Sequence, residues 1–343
     1  MSEKILLVTQ ERNDSIWIVD KSIKDWLRNF SHNFDFLEIY PCKKNFLIRI
    51  LNHIKNISLI LKKSFKYKYV YFTYSNPYSI FIKLFYKNKK ITMCFHHLEP
   101  IWKTSLLCKF ILKTTDYFIA ISKFTKKQLI DLWVNENNIF VNYNWISDWY
   151  YPEVIKNFTN YKYILYVWTE VERKNTNYLL EVFSDIYKLH PEIKLVKIWV
   201  IWTKEEWERF DKKVKSLSLE KWVVIIRNYL DESELRKRYS NAICLVSLSK
   251  LEWFWLTIPE AMACWCPVIV SNIPPFKEIC EDNQILVDLN DRSWIVKSIE
   301  KFISDENHRK IYYEKGIELS KKFNWITNCE QLIKYFNMKI YNE

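Results

Sequence analysis

Two glutamates, Glu252 and Glu260, stand eight residues apart in a stretch that could recognise a hydroxyl-rich ligand. Glu252 lies in a loop, and Glu260 lies in the opening turns of the helix expected to follow it. An ionised carboxylate can accept hydrogen bonds from two neighbouring hydroxyls at once. The amides at a helix N-terminus also favour a negatively charged ligand. The spacing alone is uninformative, because surface helices supply such glutamate pairs by chance, so the surrounding residues must carry the argument.

Tryptophan occupies positions in this stretch where the backbone geometry calls for glycine. The chain has 16 tryptophans and one glycine, Gly316, whereas average usage would give about 24 glycines. Trp253 and Trp255 bracket a phenylalanine, and Trp265 lies between two cysteines. Glycine serves such turns because it reaches positive φ at no steric cost and lets a ligand approach the backbone. We hypothesise that most of the tryptophans stand for glycines, because some bacterial lineages read the UGA codon as glycine; a truly tryptophan-rich protein is the alternative.

Read with glycine, the stretch resembles the donor site of the family-four retaining glycosyltransferases, which have the GT-B fold. The family pattern is roughly Pro-Ser-x-x-Glu-Gly-Phe-Gly-Leu, followed by Glu-Ala-Met-Ala-Cys-Gly-Cys-Pro-Val. The resemblance covers nearly the whole chain and is strongest from about 163 to 290. Tryptophan stands at each family glycine, and the matching residues are Ser249, Glu252, Phe254, Leu256, Glu260, Ala261, Met262, Ala263, Cys264, Cys266, Pro267 and Val268.

The resemblance implies roles for the two glutamates and for a cationic loop. Glu260 would accept hydrogen bonds from the ribose hydroxyls of a nucleotide sugar, and Glu252 would contact the transferred sugar. Lys174 would hold the donor pyrophosphate, with Arg173 standing in for an arginine that the family more often places where this chain has Thr169. Two cations stabilise the charge that develops on a diphosphate leaving group. The structural alternatives are solvated glutamates and a solvated Arg-Lys turn.

The resemblance also implies a donor-binding loop and a base-reading strand end. Phe254, Trp255 and Leu256 belong to the loop, whose backbone could wrap closely around a ligand if glycine stood at 253 and 255. Tyr229 and Leu230 match the strand end at which the family reads the nucleotide base with main-chain atoms. These two residues therefore say little about which base is bound.

In the first half, His96 follows a candidate strand and would face the sugar. It matches the family's histidine–aspartate loop, in which His97 replaces the aspartate; a structural or exposed histidine is the alternative. Trp325 matches an aromatic residue that the family keeps, so it is read as tryptophan. The sequence does not decide between tryptophan and glycine at Trp26 and Trp149.

Short apolar runs alternate with amphipathic segments, which predicts βαβ units around mostly parallel sheets. We expect an α/β fold with two Rossmann-like doubly wound domains facing a cleft, as in GT-B. The domains would be 1–155, on the acceptor side, and 156–343, which binds the nucleotide sugar. A last helix after Asn328 would cross back to the first domain. The ligand is expected beyond the carboxyl ends of the strands.

The predicted elements follow the apolar runs and the capping signals, with Asp231 as an N-cap. The predicted strands are Ile5–Thr9, Phe36–Ile39, Tyr69–Tyr74, Ile91–Phe95, Tyr117–Ile121, Tyr163–Val167, Leu195–Val200, Val223–Ile226, Cys244–Ser247 and Val268–Val270. The predicted helices are Phe46–Lys62, Phe124–Leu132, Thr176–Lys188, Trp207–Leu217, Asp231–Asn241 and Leu256–Ala263.

Net positive charge is concentrated in the first half, because acidic residues are fewer there. Residues 1–150 hold 23 Lys/Arg against 12 Asp/Glu, whereas residues 151–343 hold 29 against 28. The asymmetry predicts an anionic partner, either a membrane surface or nucleic acid, and a lysine-rich solvated face is the alternative. No nucleic acid is expected, because no basic run interleaves with a recognisable nucleic-acid module. Peripheral attachment to a membrane would use the helix that places Phe46, Ile50, His53, Ile54 and Ile57 near one face, with Ile60 or Leu61. The alternative is that this apolar face packs on the sheet.

Other features point to a cytoplasmic protein that uses neither metal nor cofactor. No apolar run approaches the ~20 residues that span a bilayer. The eight cysteines include no Cys-x-x-Cys pair, which is typical of a reducing compartment rather than of a disulfide framework or a zinc site. The chain contains no Asp-x-Asp triplet, and Lys174 and Arg173 could do the work of a metal cation.

Together these observations favour an enzyme of surface glycan biosynthesis. It would move a hexose from a nucleotide-diphosphate sugar to a saccharide or lipid-linked acceptor and retain the anomeric configuration. The alternative is a catalytically inactive relative, a basic scaffold that binds anionic membrane or nucleic acid. That alternative is favoured if the native protein carries these tryptophans, because indoles at 168, 253 and 255 would fill the space that the diphosphate needs.

Overall fold

The chain folds into two units. The computed structural model describes residues 2–10, 34–40, 46–96, 98, 104–167, 171–198, 203–228 and 230–341. Unit 1 combines Met1–Asn144 with Ile326–Glu343, and unit 2 is Trp145–Trp325. Residues 145–155, which the sequence analysis assigned to the first domain, belong to unit 2.

Unit 1 is built on a parallel sheet with the strand order β2-β1-β3-β4-β5-β6. Ile5, Leu6, Leu7 and Val8 of the interior strand β1 are fully buried, as expected where helices cover both faces of a parallel sheet. The strands are β1 Ser2–Gln10, β2 Phe34–Ile39, β3 Tyr67–Phe72, β4 Lys90–Phe95, β5 Tyr117–Ala120 and β6 Ile139–Val141. The helices described between them are α1 Phe46–Ser64, α2 Tyr78–Phe85, α3 Leu106–Thr114 and α4 Lys123–Asp131.

Unit 2 repeats this architecture with the strand order β12-β11-β10-β7-β8-β9. The strands are β7 Lys162–Val167, β8 Ile193–Ile198, β9 Val223–Ile226, β10 Leu245–Ser247, β11 Val268–Ser271 and β12 Ile285–Val287. The helices are α5 Thr176–Leu189, α6 Lys204–Ser216, α7 Glu232–Ser240, α8 Thr257–Ala263, α9 Pro274–Cys280, α10 Arg292–Ser304 and α11 Glu306–Ser320. The strand order reverses between β7 and β10, so the loops after these two strands meet at the point where doubly wound sheets bind ligands.

The last helix, α12 Trp325–Tyr341, begins earlier than the position after Asn328 that the sequence analysis gave. Most of it belongs to unit 1. The ring of Phe336 packs against Tyr71 and Phe34, with centroids 5.1 and 5.7 Å apart. Tyr335 stacks on Phe140 at 4.5 Å. These aromatic contacts hold the helix to the sheet of unit 1.

The prediction of an α/β fold with two Rossmann-like doubly wound sheets is confirmed. Asp231 caps α7 as predicted, because its side chain accepts a hydrogen bond from the Glu234 amide. Strand β3 lies two residues earlier than the predicted Tyr69–Tyr74. The sequence analysis omitted β6, β12 and the helices α2, α3, α9, α10 and α11.

Two helices end on a tryptophan in the left-handed region of backbone space. Trp133, after α4, has φ 67°, and Trp265, after α8, has φ 60°. The amide of each tryptophan bonds to the carbonyl three residues back, and the next amide bonds to the carbonyl five residues back. Ser218 ends α6 with the same pattern at φ 53°. This is the Schellman ending, in which glycine is preferred because a Cβ costs about 1–2 kcal/mol at this φ.

We predict that Trp133→Gly raises the melting temperature of the protein. The indole is 97% exposed, so its loss removes little packing, while loss of the Cβ relieves strain; allowing for the greater freedom of glycine in the unfolded chain, about 1 kcal/mol remains. Trp133→Ala is the matched control, because it removes the indole and keeps the Cβ. Scanning calorimetry compares the two, and equal midpoints would contradict the strain argument.

Candidate active site

The candidate site lies beyond the carboxyl ends of β7 and β10. The loop after β7 passes through a 3-10 turn, Glu172–Lys174, and enters α5. Asn175 joins turn and helix at φ 56°, a conformation that asparagine tolerates. The loop after β10 runs to Leu256 and carries Glu252. A backbone hydrogen bond of 2.8 Å, from the Lys250 amide to the Arg173 carbonyl, ties the two loops together.

A carboxylate with two cations forms the centre of this site. Glu252 Oε1 lies 2.6 Å from Lys174 Nζ, and Glu252 Oε2 lies 2.6 Å from Arg173 Nη1. Glu252 and Lys174 are buried, whereas the Arg173 side chain is about one-third exposed. Arg173 also donates to the Leu251 carbonyl at 3.3 Å. The structure thus brings three of the predicted site residues into direct contact.

Burial governs the electrostatics of Lys174. Loss of hydration lowers the pKa of its ammonium to about 7, and the positive charge of Arg173 acts in the same direction. The Glu252 carboxylate opposes both by attraction and by hydrogen bonding. This pKa already includes the attraction of Glu252, so the charge of Lys174 depends on the anion next to it. An anionic ligand could therefore compete with Glu252 for it.

Two tryptophans cover the cations. The Trp255 ring lies 4.2 Å from Lys174 Nζ and stacks on Phe276 at 5.6 Å. The Trp253 ring lies 5.4 Å from the Arg173 guanidinium. Trp255 is buried and the Lys174 side chain has no exposed area. The indole at 255 therefore occupies space next to Lys174 Nζ that a ligand of this cation would need.

The rest of the donor loop packs inside unit 2. The Phe254 ring meets Phe323 edge to face at 5.7 Å. Leu256 is half-buried and has helical angles at the residue before α8. Leu230 is half-buried just before α7, whereas Tyr229 lies outside the described residues, as do Trp168 and Thr169.

Glu260 contacts residues other than the cations. It lies in the first turn of α8 and accepts a 3.0 Å hydrogen bond from Tyr239 Oη. Burial raises the pKa of its carboxyl to about 7, and the charge of Glu232 adds to this. Hydrogen bonds from the Tyr239 and Tyr150 hydroxyls lower it in part. Glu260 is thus a carboxyl that gains or loses its proton near neutral pH.

The sequence analysis missed Tyr239 and Tyr150. Tyr239 lies on the buried side of α7 and is fully buried, with its ring 6.1 Å from that of Tyr150. Glu153, beside Tyr150 in the chain, forms an ion pair with Arg236 of α7. No local sequence pattern predicts these contacts, because the partners are far apart in the chain. Glu153 and Arg236 are separated by 83 residues, and Tyr239 and Glu260 by 21.

His96 belongs to unit 1, directly after β4. It is buried, and its Nε2 lies 2.9 Å from the Thr73 carbonyl oxygen, to which an Nε2–H donates. This contact fixes the ring at the carboxyl end of the sheet of unit 1. His97 lies outside the described residues.

Comparison with known proteins identifies relatives of this arrangement. Residues 148–319 match the model of the glycosyl transferases group 1. An uncharacterised glycosyltransferase of Methanocaldococcus jannaschii is 30% identical over 224 residues, which cover 63% of this chain and 58% of the relative. The O-antigen chain mannosyltransferase B of Escherichia coli is 29% identical over 179 residues, which cover 51% and 46%. The chain thus spans about half the length of these curated relatives.

The fold also matches a solved structure. HepE of Anabaena, crystallised with UDP and glucose, has a TM-score of 0.77 over 97% of this chain and 99% of that one, at 13% identity. At that identity the match shows the fold, which is the GT-B type with two Rossmann-like domains.

We predict that Tyr239→Phe raises the pKa of Glu260 above its value of about 7. The hydroxyl stabilises the carboxylate, so its loss favours the protonated form; a hydrogen bond to a charged group accounts for a change of about 1 in pKa. Carbon-13 NMR of labelled glutamate measures the titration. Tyr178→Phe is the matched control, since it also removes a partly buried hydrogen bond of a tyrosine hydroxyl, the 2.8 Å contact with the Leu289 carbonyl. An unchanged titration in Tyr239→Phe would contradict the assignment.

Proposed function

Because residues 148–319 match its model, the chain belongs to the group 1 glycosyltransferases, and we propose that it is a retaining enzyme of the family-four type. It transfers a hexose from a nucleotide-diphosphate sugar to a saccharide or lipid-linked acceptor in surface glycan biosynthesis. The observation that carries the proposal is the contact of Lys174 and Arg173 with Glu252 at the reversal of the strand order. The relatives support it, since one is an O-antigen chain mannosyltransferase and HepE was solved with UDP and glucose.

The cations suit a diphosphate leaving group. Phosphate oxygens compete with Glu252 for Lys174 and Arg173, because the diphosphate and the carboxylate both offer anionic oxygens to these two donors. Once the cations turn to the diphosphate, the Glu252 carboxylate is released to accept a hydrogen bond from a sugar hydroxyl. The cations then stabilise the charge that grows as the glycosidic bond breaks. His96 is proposed to hydrogen-bond the transferred sugar, as the resemblance implies.

Retention is proposed to result from front-face attack, as the family resemblance implies. The incoming hydroxyl attacks on the side from which the diphosphate leaves, and the leaving phosphate accepts its proton. No metal or cofactor is proposed, because Lys174 and Arg173 supply the positive charge. A cytoplasmic location is supported by cysteine usage typical of a reducing compartment.

We further propose that the native protein carries glycine at 133, 253, 255 and 265. The left-handed φ values support this for Trp133 and Trp265. The closure of Lys174 by an indole supports it for Trp255. If these positions are tryptophan in the native protein, the function shifts to the alternative, an inactive scaffold that binds an anionic membrane or nucleic acid.

The direct test is a screen of nucleotide sugars on protein with these tryptophans, and Trp168, replaced by glycine. We expect transfer or donor hydrolysis with one nucleotide sugar. Proton NMR of the first product formed reports its anomeric configuration, and inversion would contradict the retaining mechanism. Absence of turnover with every donor, together with absence of nucleotide binding, would contradict the transferase proposal itself.

We predict that Trp255→Gly decides whether this protein binds a nucleoside diphosphate. In the form with the other four positions already replaced by glycine, the change opens Lys174, so calorimetry should detect UDP, GDP or ADP. Trp255→Phe is the matched control, because it keeps an aromatic ring over Lys174. Equal binding by the parent and the Trp255→Gly protein would show that the indole does not close the site.

We predict that Glu260→Gln weakens binding of the nucleotide sugar about ten- to a hundred-fold, the range for loss of a charged hydrogen bond. For the unsubstituted Glu260, affinity should fall as the pH drops below about 7, because protonation removes an acceptor oxygen for the ribose hydroxyls. Glu314→Gln, at an exposed position of α11, is the control. A pH-independent affinity that Glu260→Gln does not alter would rule out the ribose contact.

A further inference from the structure

Three helices of unit 1 lie side by side on one face of its sheet. The connections β2 to β3, β3 to β4 and β4 to β5 all advance in the same direction across the sheet. Right-handed crossovers therefore put α1, α2 and α3 on the same face. Contacts of α1 with α2 and of α2 with α3 agree with this order. Since each helix follows a strand, all three begin at the edge where the strands have their carboxyl ends.

The first halves of α1 and α3 expose large apolar side chains. Residues 48–51 of α1 are all exposed, so none of these four consecutive side chains is buried in unit 1. Leu51 and Ile54 of α1 are 55% and 59% exposed, and Leu106 and Phe110 of α3 are 72% and 55% exposed. The second half of α1 differs, because Ile60 is buried and Ile57 is half-buried. The apolar face expected from the sequence thus packs in its second half and is exposed in its first.

Exposed positive charge lies on the same two helices. Lys55 of α1 and Lys109 and Lys113 of α3 are exposed on the same helices. Between Glu38 and Asp116 the sequence holds 15 Lys or Arg and a single acid, Glu99. Like charges at this density repel one another unless an anionic partner lies next to them.

We propose that the first halves of α1 and α3 form a membrane-docking surface, which seats unit 1 on an anionic lipid bilayer. Leu51, Ile54, Leu106 and Phe110 enter the boundary between headgroups and acyl chains, and the lysines face the headgroup phosphates. None of the described helices is long and apolar enough to cross a membrane, so this surface lies on the bilayer. The proposal does not depend on the transfer reaction.

The exposed side chains favour lipid over nucleic acid as the partner. Leucine and isoleucine gain by entering an acyl layer, whereas a nucleic acid offers phosphates to cations and base faces to planar rings. Nucleic acid would use the lysines and leave the aliphatic side chains in water. Substitution of the aliphatic residues should therefore weaken binding to lipid but not to nucleic acid, whereas substitution of the lysines should weaken both.

The test is co-sedimentation of the full chain with phosphatidylcholine vesicles, with and without phosphatidylglycerol. We expect binding to the anionic vesicles that weakens as salt is raised. The pair Leu51→Ser and Ile54→Ser, and the pair Lys55→Gln and Lys109→Gln, should each lower the partition coefficient about ten-fold. Leu189→Ser in unit 2 is the matched control, since Leu189 is as exposed as Leu51, at 55%, and should leave binding unchanged.

Three results would overturn the proposal. Equal binding to neutral vesicles would remove the role of the lysines. Unchanged binding of the Leu51 and Ile54 variants would remove the role of the apolar side chains. Binding to a fluorescent RNA duplex that is lost in the lysine pair and kept in the apolar pair would identify nucleic acid as the partner. Assays of donor hydrolysis on the same variants distinguish failure of this proposal from failure of the transferase proposal, because hydrolysis of a soluble donor needs no membrane.

Discussion

The contact of Glu252 with Lys174 and Arg173 is the constraint on which the site depends. Burying a carboxylate and an ammonium costs several kcal/mol for each ion unless both are paired with good geometry. Lys174 reaches the pair from the loop after β7, and Glu252 reaches it from the loop after β10. The two loops are neighbours only because the strand order reverses between those strands. The topology of unit 2 therefore satisfies the buried charges, and its ligand site coincides with them.

Tryptophan is unfavourable at three positions described above, for two separate physical reasons. Trp133 and Trp265 conflict with the backbone, because a Cβ is strained at their φ. Trp255 conflicts with the chemistry, because its ring covers Lys174. The one encoded glycine, Gly316, meets a third demand: a Cβ there would lie 3.3 Å from Met262 Cβ, where α11 packs on α8. Backbone angle, ligand access and helix packing are independent, so glycine fits each of these positions for its own reason.

Structural elements that depend on residues close together in the chain were predictable from the sequence. Buried strands such as β7 and the Asp231 cap follow local patterns. Lys174, Arg173 and Glu252 were predicted from the family resemblance and not from local spacing. Contacts between distant segments were not predictable, as Tyr150 with Glu260 shows. The amphipathic pattern of α1 also did not show which part of its apolar face is buried, because that depends on which other segments pack against the helix.

The contact between Tyr150 and Glu260 has a consequence for the stretch through which the chain passes from unit 1 into unit 2. This stretch is also held to α7 by the Glu153–Arg236 ion pair and by a hydrogen bond from the Glu153 amide to Ser240 Oγ. Coupling free energies are reciprocal. If attachment of this stretch favours ligand binding at Glu260, a bound ligand must raise the free energy of detaching the stretch by the same amount. Its amide hydrogens would then exchange more slowly when the site is filled. The exchange rate of this stretch would therefore report whether a ligand occupies the site at Glu260.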